Sequence, residues 1–173
     1  MHRHNTVLKI VFYEILYNLD LIDSIPPWYL DAELKSYYEN ERAHAFWDVL
    51  LYADHVEVRA NRIDRIDTRV VDHMEKTVIL LEMSCPWSNN KETKSAEKFE
   101  KYAPLRLEQK RQFLGYEVKQ FNIIIDVLGG YSEELERTMI ALTGSRRKEV
   151  LLKMQKARLS STLNIARHFK VMF

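Results

Sequence analysis

A mixed β-sheet flanked by helices is the fold class that this 173-residue sequence predicts. Three observations carry the prediction. Strand-like runs follow one another around 49–58, 67–71 and 77–84, a long amphipathic stretch covers 92–112, and an apolar run occupies 117–127. A strand-helix-strand crossover after a meander argues for a mixed sheet with helices against its faces. Apolar content of 46% and charge of 29% are ordinary for a globular chain of a length that buries a real core.

The elements follow in order. Residues 4–19 read as a helix, with Val7, Ile10, Val11, Ile15 and Leu19 at helical spacing. Ser24-Ile25-Pro26-Pro27 breaks it, which marks 1–27 as a helical extension or linker. A helix is predicted at about 31–46, with Leu34, Tyr37, Tyr38 and Phe46 on its apolar side. The three strands come next, the last two joined by a polar turn from Asp72 to Lys76, and then the Lys- and Glu-rich helix of 92–112. EVKQFNIIIDV at 117–127 alternates and then turns continuously apolar, as a buried strand does. Gly129-Gly130 stops it. Ser132 with Glu134 and Glu136 starts a short helix that Gly144 ends, and a basic helix of about 146–168 follows. The divisions are therefore 1–27 as extension, 28–144 as core and 145–173 as basic helix.

Composition narrows the function. The single Cys85 excludes an internal disulfide framework and suits a reducing compartment. No apolar run approaches the roughly 18 residues of a transmembrane helix, and MHRHNTVLKIVFYEIL mixes charge into its apolar residues, unlike a secretory signal. A nuclear or cytoplasmic location without membrane contact is the expectation. The net charge of +1 conceals a division: residues 145–173 carry eight Lys/Arg against Glu149, hence +7, and the rest sums to −6. Arg146, Arg147, Lys148, Lys153, Lys156 and Arg158 are the candidate contacts to a polyanion, DNA first and RNA second. A solvated helix face is the plain alternative.

The chemistry centres on Asp67 and Glu82, fifteen positions apart and brought to one end of a hairpin. Two converging carboxylates and a lysine suit a divalent-metal phosphodiesterase, since Mg²⁺ (or Mn²⁺) takes hard oxygen ligands, often only one or two from protein carboxylates. The ion polarises the phosphate and acidifies a water, and a lysine steadies the developing charge. Glu82 ends an apolar run, where burial is costly unless the carboxylate is paired or binds metal. The alternative is a strand end emerging into water. Asp64 and Asp72 compete with Asp67 for the role of first acid. Lys98 and Lys101 share one helical face, where salt-bridge pairing with Glu97 and Glu100 is the plain reading. Tyr102, Trp87, Phe99 and Trp47 are candidate stacking aromatics, with core the preferred reading for Phe99 and Trp47. The six histidines form no zinc pattern with Cys85, Gly129-Gly130 lacks a phosphate loop's lysine, and no histidine is placed to activate Ser84 or Cys85.

Taken together, ANRIDRIDTRVVD, VILLEMSCPW, EKFEKYAPL and NIIIDVLGGYSEEL resemble the carboxy-terminal restriction-like endonuclease domain of non-LTR retrotransposon polyproteins, a branch of the PD-(D/E)XK superfamily. The resemblance is strongest over about 47–142, and MHRHN resembles the linker after the reverse transcriptase, itself absent from this chain. It implies a restriction-endonuclease-like core and a Mg²⁺-dependent DNA-nicking enzyme. Its motif falls on Arg65-Ile66-Asp67, Glu82 and Lys98-x-x-Lys101-Tyr102. Asp67 and Glu82 would hold metal, Lys98 or Lys101 would supply the catalytic lysine, and Ser84 and Tyr102 would support them. Ile66 replaces a usual proline, and Ser84 stands where the superfamily's E-x-K lysine belongs, the lysine in this branch having moved to the next helix. Glu39 or Glu41, on the helix expected before the sheet, would add an acid as in some relatives. An inactive nuclease fold that binds nucleic acid is the alternative, and a protein-interaction domain is a further one.

Overall fold

Apolar side chains segregate to the two faces of one sheet, and that division sets the layers of the molecule. The computed structural model describes residues 2–53, 62–87 and 89–172. In chain order the elements are α1 (His2–Asn18), β1 (Tyr37–Glu39), β2 (Ala43–Ala53), β3 (Arg62–Asp72), β4 (Thr77–Ser84), α2 (Lys91–Lys101), α3 (Ala103–Gln112), β5 (Glu117–Ile124), α4 (Glu133–Thr143), a 3₁₀ turn (Gly144–Arg146) and α5 (Arg147–Met172). The strands lie in sequence order, β1 to β4 antiparallel and β5 parallel to β4. The expected mixed sheet with flanking helices is therefore present.

Alternation along β4 sends Ile79, Leu81 and Met83 to one face and Val78, Leu80 and Glu82 to the other. The first face carries the main core, in which Val70, Leu81, Met83 and Ile123 meet residues of α1, α4 and α5. The second carries a smaller cluster of Ile66, Val71, Val78, Leu80, Tyr102 and Leu105 beneath α2 and α3. Helix α1 is apolar almost all round: Val7, Leu8, Val11, Phe12 and Leu16 are each 1% exposed or less. Apart from exposed Asn5, Tyr17 and Asn18, α1 lies within the main core, pressed against α5.

Three sequence expectations are corrected. The helix expected at 31–46 is absent: a loop, β1 and the start of β2 occupy it, with Tyr37 facing Phe46 across the ladder. Ala43 and Ala45 point into the main core, where Phe12 packs on Trp47. The helix of 92–112 is two helices that break at Tyr102: Pro104 has no N–H to give the Glu100 carbonyl, so α2 does not run on through it, and it sits instead in the first turn of α3, where that N–H is not needed. Strand β2 begins at Ala43, and the part of the expected 49–58 strand beyond Ala53 lies outside the described residues.

Candidate functional site

The register carries four polar side-chain positions across four strands. Trp47 pairs with Thr68 and Val49 with Ile66, so Asp48 stands beside Asp67. Thr68 pairs with Leu81, so Asp67 is one step from facing Glu82, and Glu82 pairs with Asn122. The row reads Asp48, Asp67, Glu82, Asn122. Asp64 pairs with Leu51, three residues further along β3, so the register sets Asp67 and not Asp64 alongside Glu82.

The sheet is distorted at this row. Ile66 packs in the same cluster as Val71 although the two are an odd number of residues apart, so alternation along β3 slips near Asp67. Asp67 turns its carboxylate towards β4, and its Oδ2 accepts the Met83 N–H at 2.8 Å. Glu82, 5% exposed, is no strand end in water: Lys98 Nζ donates to its Oε1, and its buried Oε2 has no hydrogen-bond partner.

Helix α2 delivers that lysine through a ladder of polar contacts. Lys91 Nζ reaches Asp126 Oδ2 at 2.9 Å, Asn122 Nδ2 donates to the Ser95 carbonyl at 3.0 Å, and Gln120 Nε2 donates to the Lys98 carbonyl at 3.1 Å. Positions 91, 95 and 98 lie on one helical face, so β4 and β5 grip α2 at every turn. Ser95 is the one buried residue of α2, and its hydroxyl donates to Glu134 Oε1 of α4 at 2.9 Å. Polar fit thus replaces apolar packing in aiming this helix. At its start, burial acts to raise the Asp126 carboxyl, but Lys91 and the N–H groups of Gly130 and Leu128 outweigh it and hold it below the ordinary range.

The remaining sequence candidates divide clearly. Lys98 reaches Glu82, whereas Lys101 Nζ donates to the Tyr102 hydroxyl at 2.9 Å and lies 4.6 Å from that ring's centre. Tyr102 is 1% exposed at the α2–α3 break, beneath the site. Ser84 ends β4 two residues beyond Glu82 and is half-buried. Glu39 and Glu41 sit on β1 and in the β1–β2 turn, not on a helix, and Glu39 pairs with His44, four residues from Asp48, so the fold separates both from the row. Trp47 packs on Phe12, as expected of a core residue. Phe99 does not join the core: it is 48% exposed and stacks under the Arg106 guanidinium 3.7 Å away. Trp87 is exposed.

The basic helix lies on the other side of the sheet. Val150, Leu151, Met154 and Ala157 of α5 join the main core, on the face opposite Glu82 and α2. Arg158 is 1% exposed and donates its Nε to the Asp126 carbonyl at 3.1 Å, so its guanidinium serves the fold and is not open to a phosphate. Arg146 and Lys153 flank the buried Glu14, at 2.9 and 3.8 Å, and both also meet Glu149. Burial still pushes the Glu14 carboxyl up, against the pull of Arg146 and Lys153. Arg147 lies 3.9 Å from Glu136, and Lys148 and Lys156 are exposed.

Sequence reasoning missed Asp48, Gln120 and Asn122. For the two amides a signal exists: Gln120 and Asn122 stand two apart on one strand and so share one face of the sheet.

A divalent ion is chemically compatible with the row. Among the described residues no three His, Cys, Asp or Glu side chains converge to enclose a metal, but Mg²⁺ commonly takes one or two carboxylates and fills its shell with water. The buried, unpartnered Glu82 Oε2 beside Asp67 meets that need. Among the described residues no helix is long and apolar enough to cross a membrane. No protein-family model, curated protein or solved structure matches the chain.

Proposed function

We propose that the chain is a divalent-metal-dependent nuclease that nicks DNA from a restriction-endonuclease-like core, as its resemblance to the retrotransposon endonuclease domains implies. One observation carries the reading: Asp67 and Glu82 neighbour each other on β3 and β4, and α2 lays Lys98 on Glu82. Asp67 and the free oxygen of Glu82 would hold the ion. When bound, Mg²⁺ polarises a phosphate and acidifies a water. Lys98, already at the rim of the carboxylate, is placed to hold a phosphate oxygen or that water. Gln120 and Asn122 keep the lysine in position by fixing the backbone of α2. Lys148 and Lys156 would add contacts to phosphate without reading bases. Because α5 and the row lie on opposite faces, a duplex engaging both must pass around an edge of the sheet.

A second reading, a nuclease fold without activity that binds DNA or RNA, has one observation in its favour. Both acids already hold internal partners, Asp67 the Met83 N–H and Glu82 the Lys98 ammonium. Nicking of supercoiled plasmid in Mg²⁺ or Mn²⁺, compared with EDTA and with Asp67→Asn, separates the two. Metal-dependent nicking lost in the variant supports the enzyme. A folded protein that shifts DNA in a gel but never nicks it points to the binding module.

A further inference from the structure

Three residues outside glycine have left-handed backbone among the described residues: Asp20, Asp48 and Lys76. Asp20 follows the end of α1 and Lys76 closes the β3–β4 turn, both places where such backbone is ordinary. Asp48 is different, since its φ of +57° falls inside the eleven-residue strand β2. Strain of this kind persists only where surrounding structure imposes it, and it concentrates at functional positions. It coincides here with the slip in β3, and Asp48 stands directly beside Asp67.

We propose that Asp48 is a third acid of the cation site, acting on a divalent ion through its bound water. The proposal rests on the metal-dependent reading above and adds a residue to it. The second sign of a ligand, separate from the backbone of Asp48, is Glu82 Oε2, buried and without a hydrogen-bond partner two positions along the same row. Asp48 is exposed, so water reaches it freely. Mg²⁺ gives up its waters reluctantly, and a carboxylate one water away from the ion is a normal part of such sites. A contact of this length also explains why three acids can share the row without converging on one point. The row carries three carboxylates, with the Lys98 ammonium on Glu82.

The test is Mn²⁺ binding to the purified chain without nucleic acid, read from the free-ion electron paramagnetic resonance signal. Wild type, Asp48→Asn, Asp48→Gly and Asp67→Asn are compared, with circular dichroism to verify folding. Outer contacts of metal sites are commonly worth about 10–100-fold in affinity, so Asp48→Asn is expected to weaken Mn²⁺ binding about tenfold or more. Asp48→Gly is expected to weaken it equally while raising Tm, because glycine takes φ of +57° without strain. That pairing separates charge from backbone geometry. Asp48→Asn binding within twofold of wild type, while Asp67→Asn loses the ion, overturns the role of Asp48 and leaves the metal site standing. Wild type that takes up no Mn²⁺ overturns both.

Discussion

Removing the ammonium of Lys98 should leave Glu82 as an uncompensated buried charge. The Glu82 side chain is 6% exposed and that of Lys98 is 23% exposed, and Glu82 Oε2 already lacks a partner. Breaking a fully buried ion pair from one side costs about 3–5 kcal/mol. Water reaches the lysine end of this pair, which puts Lys98→Met at about 2–3 kcal/mol by the same reasoning. Methionine retains most of the apolar stem, so the loss reports the charge and not the packing. With a urea slope of about 2 kcal/mol per molar, the unfolding midpoint should fall by roughly 1–1.5 M. Glu82→Gln in the same chain should recover most of that loss, a coupling that a double-mutant cycle measures. A Lys98→Met midpoint within about 0.2 M of wild type would refute the reasoning, because it would mean that Glu82 does not depend on Lys98.

Other expectations follow from the same contacts. A Cβ at Gly130 would stand 2.5 Å from Asp126 Oδ2, an oxygen fixed by Lys91, so Gly130→Ala should cost about 1–3 kcal/mol and lower Tm by roughly 2–12 °C in thermal unfolding. Burial acts to raise the Asp72 carboxyl, but Arg42 and the N–H groups of Glu75 and Met74 outweigh it and hold it low. Its stabilisation is therefore complete above the ordinary value near 4 and is lost as pH falls through the depressed one. Asp72→Asn should flatten that acid limb in pH-dependent denaturation, and an unchanged limb would count against it. Glu14 has the opposite sign, since burial raises it and its contribution weakens as pH rises through the raised value. The Tm of Glu14→Gln relative to wild type should therefore be more favourable at pH 7 than at pH 4, and the reverse order would contradict the assignment. Lys148→Ala with Lys156→Ala should weaken binding of unrelated DNA sequences by one common factor and reduce the salt slope by about 0.9 for each phosphate no longer neutralised. A sequence-dependent weakening would refute non-specific phosphate binding.

The hairpin was legible because its physics is local. A short polar turn between two β-runs leaves few registers, so the fifteen-residue spacing of Asp67 and Glu82 sufficed to place them side by side. The start of β2 was not legible, because Ala43 and Ala45 provide its inward positions and alanine gives no period-two signal. Leu34, Tyr37, Tyr38 and Phe46 then mimic a helical stripe. Lys98 and Lys101 are equivalent by spacing, and what separates them is the grip of Gln120 and Asn122 on α2, a long-range fit across the crossover. Arg158 looked like its basic neighbours, since charge counts cannot show which face of a helix packs inward. Asp48 had no signal: one Asp inside a strand-like run does not announce left-handed backbone.

The position of α1 has a consequence for how the chain is made. Its most important partners on α5, around Val150 to Ala157, are synthesised roughly 140 residues after it. At about 5–20 residues per second, the oily helix waits on the order of ten to thirty seconds for them. During that interval Val7, Val11, Phe12 and Leu16 have no complete burial to enter, so a helix made well before α5 is sheltered only once α5 arrives. A chaperone that binds short apolar helices would find its opening there, and a stalled or truncated product lacking α5 would present the same surface permanently.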